Sequence, residues 1–120
     1  MDKTPIIIVS GEPNSIFLEI FFKSIKTYRY KSPLIIIASK KLVQQQMKKL
    51  GFMFDINTIG KNFTKFDKLN NKKINLIDVE YKFNNCFEKI SSKSNNYIKK
   101  SFEVALDIIR QNKLSKFING

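Results

Sequence analysis

Histidine is absent from this 120-residue sequence, and cysteine occurs once, at Cys86. The first absence removes Cys/His zinc sites, and any Ser-His-Asp or Cys-His catalytic pair, from this chain taken alone. The second excludes an internal disulfide and gives no sign of an oxidising compartment. Cys86 lies between Asn85 and Phe87 with no lysine beside it, and reads as a small half-buried hydrophobe. Long apolar runs are missing too. No stretch nears the ~18 residues of a membrane span, and Ile6 to Val9 is too short for the core of a secretory signal. The expected location is the cytoplasm, and the Asn62-Phe63-Thr64 sequon carries no meaning there.

Acidic residues are scarce as well, ten against 22 basic, for a net charge of +12. That balance suggests nucleic acid, yet the basic residues are lysines apart from Arg29 and Arg110. Phosphate and base recognition usually recruits the planar fork of arginine. Lys, Ile, Asn and Phe share A/T-rich codons and make up about half the chain, so codon bias accounts for much of the lysine. With 42% apolar and 27% charged residues, the composition is that of one soluble globular domain. A domain of this length buries roughly two thirds of its unfolded surface.

Two patterns alternate along the first half. Ile6-Ile7-Ile8-Val9 is a short β-branched run closed by Ser10-Gly11, the pattern of a strand buried on both faces of a parallel sheet. Residues 15–28 then carry apolar side chains at 16, 17, 20, 21 and 25, a helical period, with Asn14 as the expected N-cap. Residues 34–38 form a second buried run. Ser39 can cap a helix over 39–50 whose apolar face is Leu42, Val43, Met47 and Leu50, and Gly51 is a natural stop. Residues 53–59 alternate weakly and suggest a strand at a sheet edge. Residues 60–73 read as a surface loop, 74–79 as another strand, and 81–92 have no clear period. A helix over 95–111 has a stripe of Ile98, Phe102, Ala105, Leu106 and Ile109, with Ser94 as its expected cap. Strands and helices in this order predict a parallel-rich sheet with crossover helices, an α/β class of Rossmann-like three-layer α/β/α form.

Lys116-Phe117-Ile118 begins one more apolar run, followed by Asn119-Gly120. In an open α/β sheet, ligands sit at the turns that leave the carboxyl ends of strands. A unit that stops at such a turn reads as the front part of a longer protein. The other turn of this kind is Ser10-Gly11-Glu12-Pro13-Asn14-Ser15, between the first strand and the first helix. It offers a glycine for close backbone approach, a carboxylate, and a helix N-terminus suited to an anion. On spacing alone the plain reading, a strand-to-helix turn with a cap, is the favoured one. They are not the dinucleotide fingerprint, since its second and third glycines are absent. The topology predicts that Gly11 to Ser15 and Asn119-Gly120 emerge at one sheet edge and face one crevice, with Glu12 turned toward it. The candidate substrate-loop residues are therefore Gly11, Glu12, Asn14, Asn119 and Gly120.

Gly11-Glu12-Pro13 after a buried first strand, with Ile16 and Glu19 in register, resembles the opening of the 4-hydroxythreonine-4-phosphate dehydrogenases of pyridoxal phosphate (pyridoxine) biosynthesis. That family opens Gly-Asp/Glu-Pro-Ala-Gly-Ile-Gly-Pro-Glu. Here Asn14, Ser15, Phe17 and Leu18 replace Ala, Gly, Gly and Pro. Ser94, Tyr97, the helix to Gln111 and Phe117-Ile118-Asn119-Gly120 look like the family's approach to its Thr-Gly-Pro-Ile-Asn-Lys turn. The resemblance extends over essentially the whole chain and over the first part of the family's length. It implies an isocitrate/isopropylmalate-dehydrogenase-like fold and a homodimer. It also implies NAD-dependent oxidation of a phosphorylated hydroxy amino acid assisted by a divalent metal. The family's metal-binding histidines lie downstream, so no metal ligand and no catalytic residue transfers to this chain. Residues 1–120 alone are expected to be inactive and to bind neither group fully.

Two other readings stand beside this one. A small α/β module could hold a phosphorylated ligand at Gly11 to Ser15 without chemistry. A nucleic-acid-binding domain would draw on residues 21–50, which hold eight Lys/Arg and no acid.

Overall fold

The computed structural model describes residues 4–87 and 92–120. Met1 to Lys3, and residues 88–91 of the 81–92 stretch that has no period, lie outside the described residues. The elements run β1 (Ile6–Val9), α1 (Phe17–Thr27), β2 (Leu34–Ala38), α2 (Lys40–Leu50), β3 (Ile56–Thr58), β4 (Ile74–Asp78), α3 (Asn95–Asn112) and β5 (Phe117–Asn119). Single 3₁₀ turns occur at Phe66–Lys68 and Ser92–Ser94. The strands form one sheet in the order β3-β4-β2-β1-β5, with every pairing parallel. The weakly alternating third strand is indeed at an edge.

The two-faced apolar runs are explained by layers on both sides of the sheet. Ile6, Ile8 and Ile118 face α1, where they line one groove with Phe17, Ile20 and Phe21. Strand alternation turns Ile7, Val9 and Phe117 to the other face, and there the Phe117 ring lies 6.2 Å from that of Phe102 on α3. Helix α2 packs beside α1. The result is the expected α/β/α sandwich. β2 is buried along its whole length and β4 along all but Asp78. Phe22, fully buried, meets Phe52 at 5.5 Å between centroids and seals the space between α1 and the turn after α2. Truncating such a side chain costs about 3–5 kcal/mol.

Local signals hold for α2. Ser39 Oγ accepts from the Leu42 N–H at 3.2 Å, and Gly51 ends the helix in the left-handed region at φ 79°. They fail at the other two helix starts. Asn14 is not the cap of α1. The chain first makes a turn in which the Ser15 N–H bonds to the Glu12 carbonyl at 3.3 Å, so the helix begins after Ile16 without a side-chain cap. Ser94 stands at the cap position of α3 in helical conformation, but its hydroxyl turns away to Glu12.

The apolar stripes are also rotated from expectation. In α3 the buried residues are Tyr97, Ser101, Val104, Ala105 and Ile108, while Leu106 is exposed. The Tyr97 hydroxyl accepts from the Ser39 N–H at 2.9 Å, and Ser101 donates to the Tyr97 carbonyl at 2.8 Å. Both polar side chains are thus buried with partners, which periodicity of apolar residues does not register. In α1 the buried residues are Leu18, Phe21 and Phe22, and Ile16 and Ile20 are left exposed. The 60–73 segment is more than a surface loop. Leu69 is buried, and Asn71 binds the start of β2 by accepting from the Leu34 N–H at 2.9 Å and donating to the Ser32 carbonyl at 2.8 Å.

Candidate functional site

Because all pairings are parallel, the strands release their following turns at one edge. Gly11 leaves β1 with φ 70°, a conformation glycine adopts without cost. The Gly120 N–H donates to the Val9 carbonyl at 2.8 Å, placing the end of β5 against the end of β1. The two turns touch. A Cβ on Gly11 would stand 2.5 Å from the Gly120 carbonyl oxygen, and one on Gly120 would stand 2.5 Å from the Phe17 ring. Chain direction also reverses here: from β1 the chain moves toward β2, whereas β5 lies on the other side of β1. Such a switch point is where open α/β sheets take ligands.

Glu12 does not project freely from this edge. Its Oε1 accepts from the Asn14 N–H at 3.1 Å and its Oε2 from the Ser94 hydroxyl at 3.0 Å. The carboxylate joins the first turn to the start of α3. Ser15 Oγ donates to the Glu12 carbonyl at 2.9 Å and accepts from the Phe17 N–H at 3.3 Å. The N–H groups of Asn14, Ser15 and Phe17 therefore have acceptors within the turn. The negative charge that a helix N-terminus favours is supplied here by Glu12. The N-terminus of α2 is arranged alike, with the Lys40 N–H donating to Asp78 Oδ1 at 2.8 Å.

Three residues outside the candidate set hold this edge together. Gln46, fully buried on α2, donates from Nε2 to the Pro13 carbonyl at 3.0 Å and to the Cys86 carbonyl at 2.7 Å. Tyr97 joins the ends of β1 and β2, with its hydroxyl 3.3 Å from Ser10 Oγ and 2.9 Å from the Ser39 nitrogen. Burial pushes that hydroxyl above the usual tyrosine pKa, and the Ser10 and Ser39 bonds pull back against it. Ser94 is the third, through Glu12. Gln46 had a readable signal, since it falls on the same helical face as Leu42, Val43 and Met47. Cys86 is buried, more deeply than expected.

The structure brings Gly11, Asn119 and Gly120 together and ties Glu12 and Asn14 to each other. A cavity of about 660 Å³ lies elsewhere, between α2 and β3 over Met47, Phe52 and Phe54. A second, about 250 Å³, opens at the ends of β2 and β4 between Lys41, Asp78 and Phe83. Among the described residues, no three His, Cys, Asp or Glu side chains converge, so these donors do not fit a divalent cation. Nor do they fit a dinucleotide at the first turn, because the space beside Gly11 is filled by the carbonyl of Gly120. Among the same residues, no helix is long and apolar enough to cross a membrane.

No family model matches the chain, and no curated protein matches it. Its fold does match a solved structure, the crystal structure of a 4-hydroxythreonine-4-phosphate dehydrogenase from Burkholderia phymatum. The TM-score is 0.77 at 15% identity, over 97% of this chain and 36% of that one. The chain thus spans about a third of the length of that solved protein and has the α/β fold of its N-terminal portion.

Proposed function

We propose that these residues are the N-terminal part of an NAD-dependent, metal-assisted oxidoreductase. Its substrate is a phosphorylated hydroxy amino acid, as in the 4-hydroxythreonine-4-phosphate dehydrogenases. The observation that carries this reading is a convergence of two routes. The Gly11-Glu12-Pro13, Ile16 and Glu19 register points to that family from the sequence, and the fold likeness to a solved member arises from backbone geometry at 15% identity. The reading is supported further by the meeting of Gly11 and Gly120 at the switch point of the sheet, since open α/β sheets take ligands at such points.

In this reading the 120 residues supply a scaffold rather than the reacting groups. Glu12 fixes the first turn, Gly11 lets β5 close against it, and Tyr97 holds β1 and β2 in register beside it. Metal ligands and the nicotinamide site belong to polypeptide beyond Gly120, and a homodimer in the cytoplasm is part of the same proposal. The test uses the full-length gene product. Substrate-dependent reduction of NAD with 4-phosphohydroxythreonine, lost on chelation of divalent cations, is the expected result. A well-folded full-length protein that reduces no NAD with this substrate, whatever divalent cation is added, would overturn the proposal.

A further inference from the structure

A cluster of basic and amide side chains stands at the opposite edge of the sheet from the Gly11 turn, where β3 and β4 begin. There a cavity of about 290 Å³ is ringed by Lys68, Lys72 and Lys73. Its other polar walls are Asn57, Asn70 and Asn75, and neither a carboxylate nor an aromatic ring lines it. Codon bias explains how many lysines the chain carries, but not why three of them surround one hollow. All three are exposed, and among the described residues none has an ion-pair partner. Like charges gathered around a concave surface repel one another and draw anions. The amides between them are fixed in place. Asn75, 2% exposed, donates from Nδ2 to the Leu34 carbonyl at 3.1 Å and to the Asn70 carbonyl at 2.9 Å. Its Oδ1 accepts from Asn57 Nδ2 at 3.1 Å. Asn70 Oδ1 accepts from the Lys72 N–H at 2.9 Å, which leaves Asn70 Nδ2, without a partner among the described residues, as a donor on the same wall as the lysines.

We propose that this cavity is an anion site that takes a diphosphate group, held by Lys68, Lys72 and Lys73 and by the side-chain amide of Asn70. Charge selects the ligand. A single phosphate group carries about −1.5 to −2 charges at neutral pH and leaves part of the charge of three lysines unmatched, whereas two linked phosphates balance it. Size agrees, since the cavity stands at the low end of the roughly 300–1,000 Å³ usual for ligand pockets. Without a ring on which a base could stack, recognition rests on the phosphates alone. Inorganic pyrophosphate and a nucleoside diphosphate both carry that group. The site is independent of the activity proposed above, because it lies at the other edge of the sheet and uses none of the same residues.

Calorimetric titration of the protein at about 0.15 M salt tests the site. Pyrophosphate should bind roughly tenfold more tightly than orthophosphate, and it should raise the thermal midpoint by mass action. ADP distinguishes the sources: binding tighter than that of pyrophosphate selects a nucleotide, and equal or weaker binding selects the inorganic ion. Lys68→Gln, Lys72→Gln and Lys73→Gln should each weaken pyrophosphate binding roughly fivefold to tenfold. Asn70→Asp keeps an acceptor for the Lys72 N–H but sets a carboxylate among the lysines, so it should abolish binding without lowering the urea midpoint. Lys99→Gln combined with Lys100→Gln, both exposed on α3, removes two charges elsewhere and should change binding by less than about twofold. Failure of pyrophosphate and ADP both to bind and to shift the thermal midpoint at about 1 mM would overturn the proposal. So would equal losses from the α3 pair and the cavity variants, the result expected of charge spread over the whole surface. A single-stranded polynucleotide that binds and is not displaced by pyrophosphate, with no binding of pyrophosphate itself, would overturn it in favour of a nucleic-acid surface.

Discussion

Gly11→Ala separates two reasons for a glycine, a left-handed backbone and a close approach. At φ 70° an alanine bears the left-handed cost, roughly 1–2 kcal/mol. Its Cβ would also stand 2.5 Å from the Gly120 carbonyl oxygen and 3.2 Å from the carbonyl carbon. Those are backbone atoms of the residue whose N–H bonds to Val9, so they yield by rotation of the Gly120 carbonyl or by a shift of β5 on β1. Forcing a methyl into filled space adds about 1–3 kcal/mol, for a total of about 2–5 kcal/mol. Gly51 provides the control: its φ is 79°, but nothing lies within 4 Å of where its Cβ would stand. Gly51→Ala should therefore cost the backbone part alone, about 1–2 kcal/mol. Urea unfolding resolves the difference, because slopes of about 1–3 kcal/mol/M turn the larger loss into a midpoint shift on the order of 1–2 M. Equal shifts for the two variants at unchanged slope would refute the contact between the first turn and β5.

Three further outcomes follow from the same geometry. Glu12→Ala and Ser94→Ala should each destabilise by about 1–2 kcal/mol, and a double-mutant cycle in urea should show coupling of about 1 kcal/mol; additivity would deny the bond between them. Tyr97→Phe should cost about 1–3 kcal/mol near neutral pH, because the buried Ser39 N–H loses its acceptor. The raised Tyr97 pKa means that the unfolded chain releases this proton first, so wild-type stability falls as pH climbs past about 10. Tyr97→Phe should lack that part of the alkaline loss, and identical alkaline slopes for the two proteins would contradict the burial of the hydroxyl. Ser39→Ala should lower stability by about 1 kcal/mol through loss of the α2 cap, and an unchanged thermal midpoint would show that Leu42 finds another acceptor.

The fold was legible where one physical cause acted alone. Ile6 to Val9 and residues 34–38 are apolar on both faces because helices cover both faces, and a continuous β-branched run states that directly. Gly51 marks the end of α2 because nothing competes for its conformation. Legibility fell where a long-range hydrogen bond redirected a local preference. Asn14 and Ser94 are both good capping residues by type, yet Glu12 engages the backbone of one and the hydroxyl of the other. The Ser94 contact spans 82 positions, which no window along the sequence contains. The stripe of α3 is rotated for a similar reason, since Tyr97 and Ser101 are buried through their bonds while Leu106 is left outside.

The candidate site shows the same division in a form that bears on function. A glycine after a strand is commonly read as room left for a ligand, and a carboxylate beside it as a group aimed at one. Here the room beside Gly11 is taken by the chain itself at Gly120, and both oxygens of Glu12 accept from the protein. The residue types at the turn were readable from sequence, but their partners lie on β5 and at the start of α3, and these are what determine the roles. A ligand arriving at this edge therefore meets no free loop. It meets two turns already locked together, with Glu12, Ser94 and Gln46 holding the first of them from behind. Preorganisation of this kind lowers the ordering cost of binding, and it ties any ligand at the edge to the position of β5. A change that loosens β5 should therefore weaken ligand binding without touching a ligand contact.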